Sequence, residues 1–143
     1  MRPGEELPSL TVPITRTLIV AGAFASRDYQ DVHHDAEAAR AKGTPDIFMN
    51  ILTTNGLVGR YVTDYVTGQL GLNVVLRKVS IRLGVPSYPG DVLVLTGRIL
   101  SVDEHTAASE GLIEISVAGT NRLGRHVTGR VVAAHPLPTR PRP

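Results

Sequence analysis

The side chains able to move a proton crowd into one short stretch: Arg27, Asp28, Asp31, His33, His34 and Asp35 fall within nine positions. A carboxylate and an imidazole that converge on one water can hold it and take its proton, typically worth about 10²–10⁴-fold in rate. Asp28 and His33, five positions apart, are the pair that could do this. The spacing alone is not specific, and a solvated acidic loop with two surface histidines is the plain alternative. His33 and Asp35, with His105, His126 or His135, could instead form a two-His-one-carboxylate iron site. Asp35 is better placed to cap a helix, so no metal is expected. His105, in a hairpin loop, and His126, on a strand, read as structural or exposed. There is no Gly-x-Ser-x-Gly nucleophile elbow and no Gly-rich phosphate loop.

The elements that must position this pair follow from hydrophobic spacing. Residues 1–13, with Pro3, Pro8 and Pro13, are expected to form an extended arm, 14–135 a single domain, and 136–143 a flexible Pro-rich tail. Thr15–Ser26, rich in β-branched and small residues, reads as a strand. Asp35 caps a short helix over 36–42, which Gly43 ends in the left-handed conformation. Thr44-Pro45-Asp46 opens a longer helix in which Ile47, Ile51, Val58, Tyr61 and Tyr65 recur at helical spacing, with Gly68 as its stop. Gly56 and Gly59 inside it each cost about 1 kcal/mol relative to alanine, so backbone or ligand should approach that surface closely. Residues 75–85, 92–102 (with Gly97 as a bulge), 112–118 and 125–134 read as strands, joined by turns at 86–91 and 121–124. One long helix against such a set of hairpin-like strands is an α+β fold with a curved antiparallel sheet. A sheet that one helix cannot cover implies a dimer or larger assembly. If the Asp28/His33 loop lies beside the start of the long helix, the helix's unpaired N–H groups could hold a developing oxyanion.

Composition narrows the classes. The 143 residues contain no cysteine, which excludes a disulfide framework, a thiolate zinc site and a cysteine nucleophile. The net charge of +2 rests on Arg140 and Arg142; without them thirteen cations face thirteen anions. With no Trp, two Phe and four Tyr, the near-neutral body suits neither phosphate tracking nor base stacking, and no nucleic-acid role is expected. Leu18–Ala25 imitates the apolar core of a signal peptide, but Glu5, Glu6 and three prolines precede it instead of a basic segment. No segment approaches the ~18 apolar residues of a membrane span, and a cytoplasmic location is expected.

Residues 25–35 (Ala-Ser-Arg-Asp-Tyr-Gln-Asp-Val-His-His-Asp), the long helix after them, and 83–91 (Leu-Gly-Val-Pro-Ser-Tyr-Pro-Gly-Asp) together resemble the MaoC-like enoyl-CoA hydratases. That hotdog-fold family has an Asp-x-Asn-Pro-x-His loop, a helix wrapped by a curved sheet and a Pro…Gly-Asp turn. The resemblance covers residues 15–135 and implies that Asp28 and His33 are the catalytic pair. It also implies a 2-enoyl-CoA substrate, and no cofactor beyond the coenzyme A that the substrate carries. Two departures stand out. Gln30-Asp31 replaces Asn-Pro, and Asn50 stands where the family has a glycine whose N–H binds the thioester oxygen, with Gly56 further along the same substrate-facing helix. Residues 46–52, 56–64 and 121–128 are similar to the small subunits of actinobacterial steroid side-chain enoyl-CoA hydratases. This implies a steroid-CoA substrate with a shortened side chain, and a hetero-oligomer with a larger hotdog subunit, or else a homodimer. An acyl-CoA thioesterase and a non-catalytic hotdog partner subunit are the alternatives.

Overall fold

The structure is a computed structural model that describes residues 1–71, 73–104 and 110–137. Its elements run β1 (Glu6–Pro13), α1 (Arg16–Ala25), a 3-10 turn (Asp31–His33), α2 (Ala36–Ala41), α3 (Ile51–Leu70), β2 (Val75–Leu83), β3 (Val92–Asp103), β4 (Glu110–Asn121) and β5 (Gly124–Pro136). The strands form one antiparallel sheet in the order β1-β3-β4-β5-β2. Strict alternation in β4 sends Ile113, Ile115 and Val117 inward, where they meet Val58, Val62 and Val66 of α3 in the core. Each such side chain, fully buried, contributes about 1.5–3 kcal/mol. The α+β architecture expected from the spacing is the one observed, a curved sheet with α3 on its inner face.

Several boundaries differ from expectation. The segment 15–26 is a helix, not a strand. Thr15 caps α1 by accepting from the Leu18 N–H at 3.0 Å, and Ile19 and Ala23, four apart, are its buried residues. A short apolar run is ambiguous between the two forms, and the close crossing on α3 selects the helix. A Cβ at Gly22 would lie 2.1 Å from the Thr53 hydroxyl. The arm is not outside the fold: residues 6–13 are an edge strand paired with β3. Prolines are tolerated there because an edge leaves N–H groups unpaired. Gly97 is paired on both sides, and β3 bulges at Leu100 instead, between Ile99 and Ser101; β1 has its own irregularity between Leu7 and Leu10, where the Pro8 carbonyl accepts from the Tyr61 hydroxyl at 2.9 Å. The long helix begins at Ile51, not Pro45, because Asn50 provides the cap while Asp46 is held by Arg16. It runs past Gly68 to Gly71, whose φ of 63° is the left-handed stop. β2 and β3 do not form a hairpin, since β2 pairs with β5 at the far edge. Pro136 belongs to β5, and residues 138–143 of the expected tail lie outside the described residues, as does His105.

Candidate functional site

Three local structures bring the site together. Helix α1 ends in a Schellman arrangement, with the Arg27 N–H on the Phe24 carbonyl at 3.0 Å and the Asp28 N–H on the Ala23 carbonyl at 2.9 Å. This ending puts Arg27 at φ 57° and fixes Asp28 just beyond the helix. The 3-10 turn then presents His33, buried at 5% exposure. Third, Asn50 caps α3: its Oδ1 accepts from the Thr53 N–H at 3.0 Å, which fixes the amide so that Nδ2 faces the loop. From Nδ2 it donates to Asp28 Oδ2 at 3.1 Å and to Ser26 Oγ at 2.9 Å.

The structure thus brings Asp28, His33 and Asn50 together. His33 Nε2 lies 3.3 Å from Asp28 Oδ2, and its Nδ1 lies 2.7 Å from the Phe48 carbonyl. A carbonyl can only accept, so Nδ1 carries a proton and, in the neutral ring, Nε2 presents a lone pair. That lone pair faces an acceptor oxygen. A water able to donate a hydrogen to each would resolve the opposition. Asp28 is held below the usual carboxylate range, chiefly by the Asn50 amide and further by the Gln30 N–H, against the opposing effect of burial; a charge on His33 adds to this only when its ring is protonated. It is therefore an anion at neutral pH.

A cavity of about 300 Å³ opens beside His33, walled by it with Phe48, Asn50, Ile51, Val85 and His126 among others; Asp28 stands behind His33 and Asn50, outside the wall itself. No described residue accepts a hydrogen bond from the N–H of Asn50, Ile51 or Leu52 at the start of α3. Larger, shallower grooves of about 820 and 570 Å³ run over the outer face of the sheet and include none of these residues. Gly56 is not part of the cluster. It faces open space six residues along α3, roughly 9 Å at 1.5 Å per residue. Gly59, by contrast, is explained within the chain, because a Cβ there would meet Leu76 at 3.0 Å.

His126, expected to be structural or exposed, is structural. It is buried at 1% exposure, with Nδ1 2.6 Å from the Val85 carbonyl and Nε2 2.8 Å from the Thr54 hydroxyl. Nδ1 must donate, so Thr54 donates to Nε2 and the ring is neutral; burial pushes its pKa down. Its only signal in the sequence was its place beside Val127 on a strand. Asp35 accepts from the Ala38 N–H at 3.0 Å as the cap of α2. Among the described residues no group of three or more His, Cys, Asp or Glu could hold a metal ion, and no described helix is long and apolar enough to cross a membrane.

No family model matches the chain. It is 45% identical over 128 residues to the beta subunit of the 3-oxo-4,17-pregnadiene-20-carboxyl-CoA hydratase of Mycobacterium tuberculosis, covering 90% of this chain and 92% of that one. A chain in the crystal structure of the ChsH1-ChsH2 complex from the same organism superposes with a TM-score of 0.82 at 43% identity, covering 93% of this chain and 97% of that one. The MaoC-like dehydratase of Rhodospirillum rubrum superposes at 0.77 with 18% identity, covering 100% of this chain and 95% of that one, a likeness of fold. With the hotdog architecture and the relative at 45% identity, the chain belongs to the MaoC-like enoyl-CoA hydratase/dehydratase family, in the group of that hydratase beta subunit.

Proposed function

We propose that the chain hydrates a 2-enoyl-CoA thioester, using Asp28 and His33 to activate one water. The observation that carries this reading is the 3.3 Å approach of two acceptors, Asp28 Oδ2 and His33 Nε2, beside an apolar-walled cavity and the first N–H groups of α3, which no described residue accepts from. The anionic Asp28 orients the water, and His33 takes its proton as the oxygen bonds to the β-carbon. The π electrons of the alkene move toward the thioester, whose oxygen becomes enolate-like and is held by the Asn50 N–H. The enolate collapses as the proton returns to the α-carbon, so water is added with no other reactant. Asn50 thus has two roles: its side chain anchors Asp28 and its backbone faces the substrate.

The acyl group is a steroid with a shortened side chain, the substrate class named in the M. tuberculosis relative. A larger hotdog subunit completes the site, as the ChsH1-ChsH2 relative is solved as a complex. The half-exposed Ile51 and Leu52 and the bare backbone at Gly56 give that subunit or the substrate an apolar helix face to meet. A cytoplasmic setting suits a reaction on CoA thioesters, and the chemistry asks for no cofactor.

The test is to purify the chain alone and with its partner subunit, then follow loss of enoyl-thioester absorbance on steroid and short-chain substrates. Asp28→Asn and His33→Ala should each cut turnover at least about 10²-fold while leaving the fold intact. Near-normal turnover in either variant overturns the assignment. An active complex carrying both replacements would make this a non-catalytic subunit, and release of free CoA would make it a thioesterase.

A further inference from the structure

Among the described residues, Arg27 is alone in being a non-glycine with its backbone in the left-handed region, at φ 57°. A Cβ is crowded there, and glycine is the residue that takes this position of a Schellman ending freely. Such an outlier persists when structure or function over-determines it. The structure itself asks for no arginine at this point. The side chain is exposed, and among the described residues nothing hydrogen-bonds or pairs with its guanidinium. The acids of the same loop are engaged elsewhere: Asp28 with Asn50 and His33, Asp31 with Lys42 at 2.6 Å, and Asp35 with the Ala38 N–H. A strained backbone therefore carries a permanently charged, planar, five-donor group with no partner among the described residues, one residue from Asp28.

We propose that Arg27 anchors a phosphate of the CoA moiety, its guanidinium forked onto phosphate oxygens at the rim while the thioester end reaches Asp28 and His33. The identity of the ligand rests on the hydratase reading, and the proposal adds a binding residue to it. Bidentate arginine–phosphate pairing is directional and charge-assisted, which suits a rim contact that sets the depth of a long flexible substrate.

The experiment uses the assembled complex, wild type and Arg27→Gly, with coenzyme A and pantetheine titrated by calorimetry. Arg27→Gly should bind coenzyme A about tenfold more weakly at low salt, with the gap closing in high salt, and should bind pantetheine unchanged. Its thermal midpoint should equal or exceed that of wild type, because glycine relieves the left-handed backbone, so misfolding cannot imitate the result. In turnover, KM for the CoA thioester should rise with kcat preserved, while the N-acetylcysteamine thioester, which has no phosphate, is unaffected. Unchanged affinity for coenzyme A overturns the proposal. So does equal weakening of both ligands, or an equal fall in kcat on both thioesters, which would make Arg27 a support for Asp28. Arg27-dependent binding of coenzyme A without hydration of any enoyl thioester would leave the anchor standing and bring down the hydratase reading.

Discussion

The two ends of α3 are built on different physics. At its start Asn50 and Thr54 are buried polar residues tied by named bonds, Asn50 to Asp28 and Ser26, Thr54 to His126. Further along, Val58, Val62 and Val66 are fully buried and apolar, and the helix ends on Gly71. Burial of apolar groups is non-directional and favourable in proportion to area. Buried polar groups yield little net stability but tolerate only one arrangement, since a lost partner leaves an unpaired atom. The helix is thus held in the molecule by one end and aimed by the other.

The sharpest way to break this comparison is at Asn50. In Asn50→Asp the cap acceptor survives, so the fold should hold. The amide that donates to Asp28 becomes a carboxylate, so Asp28 loses its main stabilising donor and gains a like charge. We expect turnover to fall about 10²-fold and the acid limb of the pH–rate profile to move to higher pH. A variant with wild-type turnover and profile would mean that Asn50 is only a cap.

Val62→Ala should do the reverse. Removing two buried methyl groups with no room to relax destabilises by about 1–3 kcal/mol, read from the midpoint of urea unfolding. Turnover of the surviving folded protein should stay within about twofold of wild type. A larger fall in turnover would show that the apolar end also sets the geometry of the site.

The same contrast decides what was legible in the sequence. The apolar half was readable, because period-2 and period-3.6 patterns are local: β4 and the body of α3 lie where the spacing puts them. That Asp28 and His33 lie side by side was also readable, since the turn that joins them spans six residues. What failed depended on partners distant in sequence. The start of α3 was misplaced because Thr44-Pro45-Asp46 has the look of a helix opening, whereas Asp46 is taken by Arg16 thirty residues earlier and the cap is Asn50. Residues 15–26 were misread as a strand because their helix is selected by the crossing of Gly22 on Thr53. His126 meets Thr54 across 72 positions, and no local pattern announces that.

Thr54→Val tests whether the polar end is as intolerant as its bonding implies. The shape is kept, but His126 Nε2 loses its donor inside the core, at a cost of about 1–2 kcal/mol in the urea midpoint. The parent protein should also lose stability as pH falls below about 6.5, the ordinary histidine value. The folded chain keeps His126 neutral there while the unfolded chain takes up the proton. A smaller acid slope in His126→Gln than in the parent checks the assignment.

The smallest effect belongs to the ion pair behind the site. Both Arg16 guanidinium nitrogens meet the Asp46 carboxylate, at 3.0 and 2.8 Å, and this pair, with the Ile47 N–H, lowers its pKa to about 2. A carboxylate depressed in the folded state adds stability that is present above its unfolded value, near 3.8, and is lost as pH falls toward about 2. Arg16 is half-exposed, so solvent screens the pair and Arg16→Ala should cost less than about 1 kcal/mol at neutral pH. The variant and the parent should converge in urea midpoint as the acid protonates, and also in high salt. Equal midpoints at neutral pH and low salt would remove this pair from the forces that fix where α3 begins, leaving Asn50 to fix it alone.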